Sequence, residues 1–149
     1  MSQQYPCAGI KVTVTKFVET NASTLLANSY SEAKLDLVST ADGNVVQDSG
    51  TLDITVYRRT VVDLAFAVES AIAGETYQPV GVSFFGQAGN VGVENFPTRT
   101  VTADVFGRLH LTVRDANISG GSFKFKLVIQ REGDGALGVI DPHVNNGFE

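Results

Sequence analysis

The sequence contains no tryptophan, one cysteine, one methionine and two histidines among its 149 residues. With Cys7 alone, the chain cannot form an internal disulfide bond, and one cysteine with two distant histidines cannot build a zinc site of the usual spacing. Nucleophilic catalysis needs an activated Ser, Cys or Thr beside a base, and no G-x-S-x-G motif surrounds a serine. We therefore predict no catalytic residue, no metal ligand and no cofactor.

Basic residues are also scarce, with 11 Lys and Arg against 16 Asp and Glu, and the formal net charge is -5. A phosphate backbone would be repelled by this charge, and the pair Arg58-Arg59 is the densest basic run, so we predict no nucleic-acid partner. No apolar run approaches the roughly 20 residues of a membrane helix, and no Sec signal peptide is visible. We expect no membrane insertion, and a location in the cytoplasm, in a virion or outside the cell by a route without a cleaved signal.

The sequence is rich in alternation between apolar and polar residues, which is typical of half-buried strands. The clearest segments are residues 10–14, 52–56, 109–113 and 123–129, and weaker ones are residues 34–38, 78–85, 98–105 and 136–140. Gly, Asn and Asp separate them, as in sandwiches and barrels. We predict one all-β domain over residues 1–149, an antiparallel two-sheet β-sandwich, immunoglobulin-like or jelly-roll-like, with about eight to ten strands. Residues 1–8 and 142–149 are expected to be mobile termini.

Three segments are ambiguous. Residues 60–73, TVVDLAFAVESAIA, place apolar residues on one helical face and also on one strand face; the β-branched start favours a strand that ends near Glu69. Residues 21–31 fit a loop or a helical turn. In the glycine-rich segment of residues 81–92, Phe84 and Phe85 are adjacent, so one of them should face outward if the strand is regular.

The C-terminal segment carries a family resemblance. Because Pro142 has no N–H, Asp141-Pro142 is expected to end the sheet. An alternating Phe/Lys/Leu strand from Phe123, a polar turn, a short apolar run and then DPHVN resemble the C-termini of the small bacterial DP-EP proteins. That family has a Glu-Pro after the Asp-Pro, whereas this chain ends in Phe148-Glu149. The family is of unknown function, so the resemblance implies a small bacterial β protein and no activity.

Three classes of function are compatible with these features. The first is a non-enzymatic structural protein, bacterial or from a phage, that self-associates as a homo-oligomer or decorates a larger particle, with terminal strands added to a neighbour's sheet. Phe148 is the expected anchor, and truncation before Gly9 or after Pro142 should abolish assembly without unfolding. The interaction candidates are Tyr5, Cys7, Phe84, Phe85 and Phe148.

The alternative is a module that binds carbohydrate or another ligand. Its candidate contacts are Tyr30, Tyr57, Tyr77 and Phe85, although the lack of tryptophan removes the usual stacking platform. The third class is an enzyme, whose site would have to be assembled from distant carboxylates or histidines that no local motif reveals.

Overall fold

A computed structural model describes residues 5–20, 30–47, 53–56, 61–86, 96, 98–103, 108–116, 121–141 and 143–146. These residues form eleven strands and no helix. The strands are β1 (Cys7–Lys16), β2 (Glu32–Leu37), β3 (Val45–Gln47), β4 (Asp53–Val56), β5 (Val62–Ser70), β6 (Tyr77–Gly86), β7 (Thr98–Ala103), β8 (Leu109–Asp115), β9 (Gly121–Arg131), β10 (Leu137–Ile140) and β11 (His143–Asn146). No helix in the described ranges is long and apolar enough to cross a membrane.

The first sheet, sheet A, has five strands in the order β2-β1-β5-β8-β7. Its neighbours are antiparallel except β1 and β5, which run parallel with Cys7 opposite Asp63 and Val14 opposite Ser70. In β1 and β5 every second residue is buried, as the sequence alternation predicts. One face of sheet A therefore contributes to the core.

The second sheet, sheet B, is built around the long strand β9. Strand β6 pairs antiparallel along one side of β9, with a bulge between Pro79 and Gly81. On the other side β9 pairs with β10 and then with β11. Strand β11 is also parallel to β4, and β4 is antiparallel to the short edge strand β3.

Strands β10 and β11 keep one register on β9. Ile140 lies opposite Leu127 and His143 lies opposite Lys124. From the first pair to the second, the segment from β10 to β11 moves three residues forward and β9 moves three residues back, so no residue is inserted on either side. The expectation that Asp141-Pro142 ends the sheet is therefore wrong. A proline removes one N–H, and in an antiparallel ladder only alternate residues bond to a given neighbour, so pairing can resume beyond it.

A hydrophobic core takes side chains from both sheets. The rings of Phe66 in sheet A and Phe125 in sheet B lie 5.5 Å apart, and Phe96 packs edge-on against Phe123 at 5.3 Å. These four phenylalanines are among the largest fully buried side chains. The others are aliphatic residues of both sheets, namely Ile10, Leu35, Ile54, Leu64, Leu111, Leu127, Ile129 and Ile140. Burial of this apolar surface is the main favourable contribution to folding.

The all-β prediction is confirmed for the described residues, and the ambiguous segment of residues 60–73 holds strand β5 rather than a helix. Uniformly antiparallel pairing is wrong, since β1–β5 and β4–β11 are parallel. Alternation fixes which face of a strand is buried but not its neighbour or direction. The described residues hold eleven strands rather than eight to ten because β3 and β11 are too short to show alternation.

Parts of both segments that were expected to be mobile lie in strands. Cys7 and Ala8 belong to β1, where Ala8 is fully buried, and His143–Asn146 forms β11 inside sheet B. The expected loop or turn at residues 21–31 lies largely outside the described residues, which include only its last two positions.

Candidate functional site

The interaction candidates near the N-terminus lie beside an ion pair. Arg114 donates from Nε and Nη2 to the two carboxylate oxygens of Asp63, at 2.9 and 3.2 Å. Its guanidinium carbon lies 4.5 Å from the centre of the Tyr5 ring, a cation–π contact. This Arg114–Asp63 pairing raises the pKa of Arg114, chiefly through the hydrogen bond to Asp63. Tyr5 is thus held against sheet A rather than projecting as a free anchor.

Cys7 is exposed at the start of β1, opposite Asp63. Partial desolvation of the thiol, with a smaller contribution from the negative charge of Asp63, raises the pKa of Cys7. The thiolate is the reactive form of cysteine, so a raised pKa makes Cys7 a poor nucleophile near neutral pH. The position fits an exposed strand residue.

The other aromatic candidates are dispersed. Phe84 and Phe85 lie in β6 opposite Phe125 and Lys124. The side chains of Phe84 and Phe85 are outside the described part of the structure. Tyr57 and Phe148 are outside it altogether. The centre of the Tyr30 ring lies 5.8 Å from Lys126 Nζ. The structure therefore does not gather the described candidates into one aromatic patch.

Tyr77 is buried at the start of β6, where its ring packs against the Phe17 ring at a centre-to-centre distance of 5.1 Å. Its hydroxyl donates a hydrogen bond to Glu75. Burial, followed by the bond to Glu75, raises the pKa of Tyr77 to about 12. Because only 4% of Tyr77 is exposed, it is not a stacking platform for a sugar.

The strand edges are the features that sequence reasoning missed. Within the described ranges the two sheets have five edge strands: β2 and β7 in sheet A, and β3, β6 and β10 in sheet B. On β2, the Leu37 N–H donates to Gln47 Oε1 at 3.0 Å, and Gln47 Nε2 donates to the Leu35 carbonyl. The side-chain amide of Gln47 thus occupies the outer hydrogen-bonding groups of β2 in place of a strand.

Three of the remaining edges are also modified or covered. Strand β3 has only three residues, and β6 carries Pro79 and a bulge. The outer side of β10 accepts N–H donors from Thr20 and Ser31, at 2.6 and 2.9 Å. Short strands, prolines, bulges and covering segments are the devices by which proteins prevent pairing of their edges.

Strand β7 has none of these devices within its six residues, TRTVTA. Thr100 and Thr102 are exposed, and Val101 is 38% exposed although it lies opposite the buried Leu111. Four of the six residues are β-branched, and Arg99 is the only charged one. A short segment with high β-propensity, low charge and no proline or glycine is well suited to pair with another strand.

A polar cleft of about 300 Å³ lies where the strand ends of the two sheets meet. Charged and polar side chains of Glu69, Arg108 and Glu132 contribute to its lining. Because these residues come from separate parts of the chain, no local motif in the sequence could have marked them. Within the described residues, no three His, Cys, Asp or Glu side chains are grouped so as to hold a metal ion.

Comparison with known proteins adds a fold likeness. No protein-family model matches the chain, and no curated protein matches it. Among solved structures, the inclusion body protein PixA from Burkholderia cenocepacia is similar, with a TM-score of 0.53 over 98% of each chain and 12% sequence identity. At this identity the likeness concerns the fold alone. The resemblance to the DP-EP proteins is not addressed by these comparisons and stays a prediction.

Proposed function

We propose that this protein is a non-enzymatic structural subunit, a single-domain β-sandwich that self-associates by pairing the exposed edge of β7 with a second copy. The sandwich arrangement is supported by the contact between Phe66 and Phe125, which joins the facing sides of sheets A and B. Sheets that pack face to face in this way leave their edge strands at the surface. Edge strands are therefore the natural sites for association.

The observation that carries the proposal is the outer edge of β7, which pairs with no other strand among the described residues. Strand addition forms main-chain hydrogen bonds between neighbouring chains, and its specificity comes from the side chains that flank them. Pairing of β7 with β7 of another copy would be isologous, because the same residues meet on both sides. Exposed Thr100, Val101 and Thr102 would then lie next to the same residues of the partner copy.

The likeness to PixA supports the same class of function. PixA is an inclusion body protein, so its fold is compatible with a structural role. A cytoplasmic location belongs to this proposal, and so does the alternative that the subunit decorates a larger particle. Docking by the chain termini is a weaker mechanism, since Cys7, Ala8 and His143–Asn146 are already used in the sheets.

The test uses two valines of nearly equal exposure on different edges. Val101 on β7 is 38% exposed and Val80 on β6 is 39% exposed. Val101→Lys would place two lysines close together in a β7–β7 pair, and like charges that face each other across strands are destabilising. Val80→Lys changes the net charge equally but lies next to Pro79 on a protected edge.

Light scattering across a range of protein concentrations measures the outcome. We expect Val101→Lys to weaken self-association by roughly tenfold or more, which corresponds to about 1.4 kcal/mol, and Val80→Lys to leave it unchanged. If both variants self-associate as strongly as the unmodified protein does, β7 is not the interface. Thermal unfolding of each variant checks that the monomer is folded.

A further inference from the structure

The polar cleft between the sheet ends has the features of a site for a small ligand. It lies between the end of β5, the start of β6, the start of β8 and the residue that follows β9. Its apolar lining consists of the partly exposed Leu109 and of Val68 and Tyr77, which are only 1% and 4% exposed. Glu69, Gln78, Arg108 and Glu132 contribute polar groups. Its volume of about 300 Å³ is at the lower end of the range for small-molecule pockets.

Two of the polar groups are held in place by hydrogen bonds. Arg108 donates from Nη2 to the Val68 carbonyl at 2.9 Å, which fixes its guanidinium to the end of β5. Thr76 donates from its hydroxyl to Glu132 Oε2 at 2.9 Å, and the Glu132 N–H donates to the Thr76 carbonyl at the same distance. A site whose groups are already ordered loses less conformational entropy when a ligand binds.

The charges of the lining select the class of ligand. Two carboxylates and one guanidinium give the cleft a formal charge of one negative unit, which disfavours phosphates and carboxylates. Carboxylates accept hydrogen bonds, the guanidinium donates them, and the Gln78 amide does both. A hydroxyl group both donates and accepts, so neighbouring hydroxyls can satisfy acceptors on one wall and donors on another.

We propose that this cleft binds a neutral polyhydroxylated molecule of monosaccharide size. The hydroxyl groups would bond to Arg108, Glu69 and Glu132, and the C–H face of the ring would lie against the partly exposed Leu109. Among the described side chains that the sequence indicated for sugar contact, Tyr77 lines this cleft and Tyr30 does not. The site is independent of self-association through β7.

The test is an NMR titration of isotope-labelled protein with glucose, galactose, mannose and N-acetylglucosamine. We expect amide shifts confined to residues 68–70, 76–78, 108–109 and 132, with a dissociation constant on the order of 1–10 mM for at least one sugar. Arg108→Met keeps the aliphatic stem and removes the donors, so binding should weaken roughly tenfold. Lys34→Met removes an exposed positive charge on β2, away from the cleft, and should bind as the unmodified protein does.

Three results would overturn the proposal. The first is an absence of saturable shifts in the cleft with all four sugars, and the second is equal weakening by Lys34→Met and Arg108→Met. The third is binding of a primary amine such as ethanolamine at the same amides with no response to sugars, which would assign the cleft to cations. Comparison of the variant spectra without ligand shows whether Arg108→Met keeps the fold. Glu69→Gln gives a second test, because it removes the negative charge of Glu69 at nearly constant side-chain shape.

Discussion

At the scale of residues, one end of the molecule is organised around Arg131. Its guanidinium bonds to Asp134 at 2.6 and 3.0 Å and to Glu75 at 3.4 Å, and it lies 4.8 Å from the centre of the Phe17 ring. The hydrogen bond from Arg131, followed by one from the Ala136 N–H, lowers the pKa of Asp134 to about 2. These contacts close the turn between β9 and β10.

The lowered pKa gives a prediction about acid stability. A carboxyl group with a depressed folded-state pKa stabilises the protein above its unfolded pKa of about 3.9, and this contribution is lost as the pH falls. The difference in free energy of unfolding between the unmodified protein and Asp134→Asn should therefore shrink as the pH falls from about 4 toward 2. Urea unfolding at a series of pH values measures it, with Glu32→Gln as a control for net charge. A difference that is constant with pH would contradict the assignment.

Gly138 in β10 gives a second residue-scale prediction. A Cβ added there would lie 2.7 Å from Phe17 Cε2 and 2.8 Å from Ser31 Oγ, and the Ser31 hydroxyl already accepts a hydrogen bond from the Val18 N–H. Gly138→Ala should therefore lower the free energy of unfolding by about 1–3 kcal/mol. Gly81 serves as the control, because it lies in a strand and an added Cβ there would meet open space. Gly81→Ala should change the free energy of unfolding by less than about 0.5 kcal/mol. Equal effects in denaturant unfolding would disprove the steric account.

At the scale of elements, the edge of β2 depends on one side chain from the other sheet. Gln47→Ala would leave the Leu37 N–H and the Leu35 carbonyl without their side-chain partner. We expect a loss of about 1–2 kcal/mol in stability. Amide hydrogen exchange should accelerate at Leu37, whereas the Val38 amide, which donates to the Gly9 carbonyl at 2.7 Å, should keep its protection. Similar acceleration at both amides would indicate general loosening of the sheet.

Strand β11 gives a prediction that reverses the expectation from sequence. Because β11 joins β9 to β4, truncation after Pro142 should separate β4 and β3 from the rest of sheet B and abolish cooperative unfolding. Truncation after Asn146 removes only residues 147–149, including Phe148, and should leave the fold intact. Circular dichroism during thermal unfolding distinguishes the two. Full cooperativity after the longer truncation would contradict the placement of β11.

The elements differ in how well the sequence predicts them. Alternation identified the buried faces of β1, β5, β8 and β9 because each is long enough to show the period. It missed β11, which is four residues long and mostly polar, and whose pairing depends on partners distant in sequence. The protected edge of β2 could not be predicted either, because it requires knowledge that Gln47 lies beside it.

At the scale of the whole molecule, the all-β class follows from composition and alternation, but strand order does not. Topology decides that β7 lies at an edge and that Glu69, Arg108 and Glu132 meet in one cleft. The residues chosen for aromatic character, such as Tyr5 as an interaction candidate and Tyr77 as a sugar contact, are instead held by contacts within the chain. Candidate sites in this fold therefore depend on sheet edges and ends, which local motifs do not encode.

The measurement that tests the central claim most directly is the mass of the unmodified protein in solution, by light scattering over increasing concentration. Self-association through β7 predicts a mass that rises with concentration from the 15.8 kDa of one chain toward twice that value, because an isologous β7–β7 contact closes as a dimer. A constant mass of 15.8 kDa at every concentration would contradict the assembly role.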